Sequence, residues 1–127
     1  MPGRILVVDD ELPVRDMIND LLKREGFQVK SVATGEEALE AVDNEDFDAV
    51  LLDVKLTGIS GLETLKKIKT KKPDMVVIMI TGFGYDDELV TKSNELGCSG
   101  YIGKNSSISQ IISCFKALIK DAKEKIK

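Results

Sequence analysis

Ala49-Val50-Leu51-Leu52-Asp53 is four aliphatic residues in a row closed by a carboxylate. A run this short and this continuously apolar reads as a strand covered on both faces, the kind that lies at the centre of a parallel sheet. Two further runs have the same character, Ile5 to Val8 towards the N-terminus and Met75 to Ile80 towards the C-terminus. Phe27 to Val32 and Cys98 to Ile102 are less continuous and complete a set of five.

Helical patterns lie between these runs. Leu12, Met17, Ile18, Leu21 and Leu22 predict one apolar helix face that ends at Gly26, and Leu62, Leu65 and Ile68 predict another. Ser107-Ile108-Ser109-Gln110 reads as a capping box for a last helix whose inner face is Ile111, Ile112, Phe115, Leu118 and Ile119. Lysines gather at its far end, where the helix dipole favours positive charge. Strand followed by helix, five times over, predicts an α/β fold: a doubly wound, five-stranded parallel sheet with right-handed crossovers. The expected organisation is one domain over residues 1–127.

Composition narrows the function classes. The chain is 43% hydrophobic and 31% charged, which suits a soluble globular domain. No apolar run approaches the roughly 18 residues of a membrane span, and the N-terminus lacks a signal-peptide pattern, so no membrane association and a cytoplasmic location are expected. Eighteen basic against 22 acidic residues leave a net charge of -4, which argues against direct nucleic-acid binding by this domain. Histidine is absent and the two cysteines, Cys98 and Cys114, have no second pair. Zinc sites and histidine-dependent triads therefore have few candidate ligands, and both thiols are expected to be reduced packing residues. Any phosphohistidine chemistry must come from a partner.

In doubly wound sheets, ligands bind outside the carboxyl ends of the strands. The residues there are Asp9-Asp10-Glu11 after the first strand, Asp53 at the end of the third, Thr81-Gly82 after the fourth and Gly103-Lys104 after the fifth. If the first and third strands are neighbours, Asp9, Asp10 and Asp53 converge at the switch point of the sheet. Two carboxylates about 4 Å apart repel by roughly 4 kcal/mol at an effective dielectric near 20, so the cluster calls for a cation or a shared proton. Hard oxygen ligands without histidine or thiolate point to Mg²⁺. A carboxylate nucleophile, a metal, a lysine and a hydroxyl are the parts of a phosphoryl-transfer site, and Lys104 and Thr81 supply the last two. Singly these residues read as a helix cap, a turn former, a strand-end hydroxyl and a solvated charge. Their joint placement at one sheet edge is what capping preferences do not explain.

From Ile5 to about the end of the last helix, the sequence resembles the response-regulator receiver family of two-component signalling. The resemblance rests on Ile5-Leu6-Val7-Val8-Asp9-Asp10-Glu11, Ala49-Val50-Leu51-Leu52-Asp53, Ile80-Thr81-Gly82 and Gly100-Tyr101-Ile102-Gly103-Lys104. It implies a flavodoxin-like (βα)5 fold with strand order 2-1-3-4-5. It implies Asp53 as phosphoacceptor, with Mg²⁺ on Asp10, Asp53 and the main-chain carbonyl of Lys55, and Asp9 acting mainly through water. Thr81 and Lys104 would contact the phosphoryl oxygens, and Tyr101 would be a switch aromatic that reports through the surface of the fourth helix, fifth strand and fifth helix. The donor would be a histidine kinase or phosphotransfer protein and the reader a downstream protein or output domain, with a homodimer through the same surface left open. The family is made of signalling phosphoacceptors, not enzymes acting on a separate substrate.

Two positions depart from the family pattern. Leu56-Thr57 stands where Met-Pro is usual, and Asn105 replaces a proline whose bond to the lysine is typically cis. A non-proline cis bond costs about 2.5 to 4 kcal/mol, so Lys104-Asn105 is expected to be trans or strained. Lys55 and Phe83, each two residues beyond a site residue, would flank the phosphoryl group and limit water access. Among rivals, a haloacid-dehalogenase-type phosphatase needs an aspartate where Lys55 stands, and a flavin mononucleotide site would be repelled by Asp9-Asp10-Glu11. A pseudo-receiver that serves as a phosphorylation-independent binding module shares every feature but the chemistry.

Overall fold

The computed structural model describes residues 3–56, 58–81, 87–103 and 108–126, with Thr81, Asp87, Leu89, Ile108 and residues 121–126 described by main chain alone. Strands and helices alternate as β1 (Arg4–Val8), α1 (Leu12–Arg24), β2 (Gln28–Val32), α2 (Gly35–Asn44), β3 (Ala49–Asp53), α3 (Gly61–Lys71), β4 (Val76–Thr81), α4 (Asp87–Glu95), β5 (Gly100–Gly103) and α5 (Ile108–Ile126). The strands form one parallel sheet in the order β2-β1-β3-β4-β5, as the repeating pattern and the resemblance imply.

The continuous apolar runs are the strands buried on both faces. All of β3, all of β1 beyond Arg4, and Val76 to Ile80 of β4 are buried, whereas β2 at the edge alternates between exposed and half-buried. Because successive side chains point to opposite faces, the buried residues divide into two cores. Leu6, Val8, Val50, Leu52, Val77 and Met79 pack with Ala38 and Val42 of α2 and Leu65 and Ile68 of α3. Ile5, Val7, Leu51, Ile78 and Ile80 pack with Ile18 and Leu22 of α1 and Ile111, Phe115 and Ile119 of α5.

Helix ends are specified locally. Thr34 and Ser60 are the N-caps of α2 and α3, each hydroxyl accepting a 3.1 Å hydrogen bond from the main-chain N–H three residues on, at Glu37 and Glu63. Gly26 ends α1 with φ +93°, and Phe27 N–H donates to the Leu22 carbonyl while Gly26 N–H donates to that of Lys23. That pairing is the Schellman closure, which needs the left-handed conformation glycine adopts without strain.

The apolar face of α1 is narrower than the sequence suggests. Leu12 is 57% and Met17 37% exposed, while Ile18, Leu21 and Leu22 are buried. At about 100° per residue, Met17 is turned a full step away from Ile18 and Leu12 lies about 120° from it, so neither reaches the sheet. Cys114 is likewise exposed rather than packed, and Cys98 is half-buried; both are free thiols. The proposed cap at Ser107 lies outside the described residues. No described helix is long and apolar enough to cross a membrane.

Phe115 is 1% exposed and meets Phe27 edge-on, with ring centroids 5.6 Å apart and planes at 78°. Phe115→Ala is expected to lower the unfolding free energy by about 3–5 kcal/mol in a urea titration, because it opens a cavity in the core between the sheet and α1 and α5. Glu45, just past α2, accepts from the Arg4 guanidinium of β1 and the Lys30 ammonium of β2. Those hydrogen bonds, that to Lys30 first, hold its carboxyl below the usual carboxylate range. A lowered native pKa contributes stability above the unfolded pKa and loses it as the pH falls through the native one. Glu45→Gln should therefore lower Tm at neutral pH, and the difference from the parent chain should shrink as thermal melts are moved into acid.

Candidate functional site

At the C-terminal edge of the sheet, β1 has β2 on one side and β3 on the other, so the chain turns in opposite directions from these neighbours and leaves a crevice between them. Val8 of β1 is level with Leu52 of β3, which sets Asp9 and Asp53 as neighbours one step further on. Both are buried, at 0% and 3% exposure. Asp10 and Glu11 follow on the exposed loop into α1. One carboxylate oxygen from each of Asp9, Asp10, Glu11 and Asp53 lies within 4.8 Å of all the others.

Local hydrogen bonds orient the buried pair. The Glu11 N–H donates to Asp9 Oδ1 at 2.9 Å, the Asp9 N–H donates to the Val32 carbonyl at 3.2 Å, and the Arg15 guanidinium, one turn into α1, donates to the Asp9 carbonyl at 2.7 Å. Across the crevice, the Lys55 N–H donates to Asp53 Oδ1 at 3.3 Å and the Val54 N–H to the Ile80 carbonyl at 3.0 Å. The next helix starts against this turn: Gly61 N–H donates to the Val54 carbonyl at 3.0 Å, and a Cβ on Gly61 would lie 2.1 Å from the Asp53 carbonyl oxygen. Only a residue without a side chain lets α3 begin so close to the end of β3.

The donor set fits a hard divalent cation. Four carboxylate oxygens, two of them on buried residues, lie within a span one ion can bridge, and no soft ligand stands among them. At the 4.8 Å limit, each pair of like charges still repels by about 3 to 4 kcal/mol at an effective dielectric near 20. A cation bound there would convert that repulsion into attraction.

Of the residues singled out in the sequence, Asp9, Asp10 and Asp53 are brought together. Lys55 is exposed beside them, its N–H turned to Asp53. The main chain of Thr81 ends β4 level with Gly103 of β5. Tyr101 is half-buried on β5, packed against the α2–α3 core and level with Met79. Gly82, Phe83, Lys104 and Asn105 lie outside the described residues, and with them the expectation about the Lys104-Asn105 bond. Two contributors were not singled out as ligands or positioning groups: Glu11, whose carboxylate joins the cluster, and Arg15. Glu11 was legible as the third acid of the Asp9-Asp10-Glu11 run, whereas a guanidinium reaching a main-chain carbonyl leaves no mark in a sequence.

Comparison with known proteins agrees with this architecture. The chain matches the response regulator receiver domain over residues 5–116. The sporulation initiation phosphotransferase F of Bacillus subtilis (strain 168) is 37% identical over 111 residues, 87% of this chain and 89% of that protein. Among solved structures, a CheY-like response regulator receiver domain protein from Methanospirillum hungatei JF-1 is 31% identical with a TM-score of 0.91, covering 98% of this chain and 99% of that one. NtrX from Brucella abortus is also 31% identical with a TM-score of 0.91, but this chain covers only 28% of it. The likeness therefore extends over nearly the whole chain in sequence and in backbone, and the chain belongs to the response regulator receiver domain family.

Proposed function

We propose that the chain is a phosphoacceptor: Asp53 takes a phosphoryl group from a histidine kinase or phosphotransfer protein in a Mg²⁺-dependent reaction. The observation that carries this reading is the convergence of four carboxylates in the crevice between β1 and β3, with Asp53 buried at a strand end in a chain of the receiver family. Asp10, Asp53 and the main-chain carbonyl of Lys55 would hold the ion, with Asp9 acting through water. When bound, it supplies positive charge against the carboxylates and the incoming phosphoryl oxygens.

An Asp53 carboxylate oxygen attacks phosphorus, the bond to the donor nitrogen breaks, and the electron pair leaves with the imidazole, which is then protonated. The product is an acyl phosphate on Asp53. Thr81 and Lys104 bond its oxygens, and Lys55 and Phe83 limit the approach of water. Tyr101 moves inward as the Thr81 hydroxyl is drawn to the phosphate, and the surface of α4, β5 and α5 passes the change to a downstream protein, an output domain or a second copy. On this reading residues 1–127 are one receiver domain acting in the cytoplasm, without membrane or direct nucleic-acid contact. Turnover is confined to the chain's own phosphorylation and dephosphorylation.

Intact mass after incubation with acetyl phosphate and Mg²⁺ tests the proposal. One phosphoryl adduct should form on the parent chain, require Mg²⁺, and be missing in Asp53→Asn; folded protein with no adduct would favour the binding-module alternative. A second outcome concerns the turn after β3. Gly61→Ala must push α3 away from the carbonyls of Asp53 and Val54, so Mg²⁺ affinity measured by calorimetry should fall several-fold; unchanged affinity would show that this close approach does not set the position of Asp53.

A further inference from the structure

We propose that the groove between α3 and α4 is a docking site for an acidic amphipathic helix of a partner protein. It encloses about 550 Å³ and shares no residue with the carboxylate cluster. Leu62 and Leu96, each half-buried, give it apolar walls together with Thr70. Leu96 is anchored in turn on the α2–α3 core, so the apolar surface is backed by fixed packing.

Length and charge select the occupant. The α3 side runs from Leu62 to Lys71, about 13 Å at the α-helical rise, which matches two to three turns of a partner helix better than a compact small molecule. Lys66, Lys67, Lys71 and Lys92 line the groove against only Glu63 and Glu95. Residues 61–72 carry five lysines and one glutamate in a chain whose net charge is -4, so positive charge is concentrated here against the overall balance. Lys67 pairs with Glu63 at 3.8 Å, Lys92 with Glu88 at 3.5 Å and Lys71 with Asp43 at 2.7 Å, all between side chains more than 40% exposed. Such exposed pairs are weak and can be exchanged for a partner's carboxylates.

A complementary helix places apolar side chains at i and i+4 over Leu62 and Leu96 and carboxylates along its flanks. Nucleic acid is a poor fit, because the groove has no aromatic residue for bases to stack on. The chain's own α1 shows the matching chemistry, with exposed Leu12 and Met17 beside exposed Asp16 and Asp20. A second copy seated through α1 is thus the main competing occupant, and it would build an open head-to-tail assembly.

The test is an NMR titration of the ¹⁵N-labelled chain with a synthetic helical peptide about four turns long, bearing leucines at i, i+4 spacing and flanking glutamates. Saturable shifts confined to α3 and α4 are expected, weakening as salt is raised. The double variant Lys66→Glu, Lys92→Glu should weaken binding by about tenfold or more. Thr70→Gln, at an exposed position where glutamine is a good helix former, should leave Tm unchanged and obstruct the groove without adding charge. Absent or scattered shifts would overturn the proposal, as would equal binding of a peptide with lysines in place of its glutamates. Sedimentation showing self-association that Lys66→Glu, Lys92→Glu abolishes would replace the partner helix with a second copy.

Discussion

The pairing of β1 with β3, in the register that sets Val8 against Leu52, is the constraint on which the rest of this structure depends. It places Asp9 beside Asp53 inside a surface from which both are almost wholly withdrawn from solvent. No local preference would choose that arrangement, since like charges at such separations repel. It is held because β1, β3 and β4 are covered on both faces by aliphatic side chains. A slip of one residue would turn every one of those side chains to the opposite core. The apolar interior thus sets the position of the acidic site.

Short hydrogen-bonded turns then convert strand ends into a chemical site. Glu11 N–H and Lys55 N–H each fold back on the carboxylate two residues earlier, and Arg15 braces the Asp9 carbonyl from the first turn of α1. These contacts fix the direction in which the remaining oxygens point. Gly61 extends the same economy to α3, which begins in contact with the carbonyls that end β3. One helix therefore abuts the main chain at the end of β3 with its first residue and lines the lysine-edged groove along its length.

The two features use different physics on different parts of the sheet. At the strand ends, negative charge is concentrated in a partly buried crevice, where a small cation would act on it at short range. Between α3 and α4, apolar surface is edged by exposed, exchangeable charges, the composition on which the proposed docking rests. In a chain whose net charge is -4, the lysines of α3 set the groove electrostatically apart from the carboxylate cluster.

Much of this was legible in the residues themselves. Continuous apolar runs such as Ala49 to Leu52 identified the central strands because burial on both faces removes the polar alternation, and the acids closing those runs marked the edge where ligands bind. Strand order and the grouping of Asp9, Asp10 and Asp53 followed from that pattern and the family resemblance, and the structure has both. What the sequence could not specify is how far each side chain lies from a neighbour distant in the chain. Leu12 and Met17 look like core residues until the rotation of α1 against the sheet turns them outward, and Cys114 becomes exposed for the same kind of reason. The entry of Glu11 into the carboxylate cluster, the reach of Arg15 to Asp9 and the groove between α3 and α4 depend on how helices and loops pack against the sheet. Periodicity records which face of an element is apolar, whereas only tertiary packing decides what that face and its edges meet.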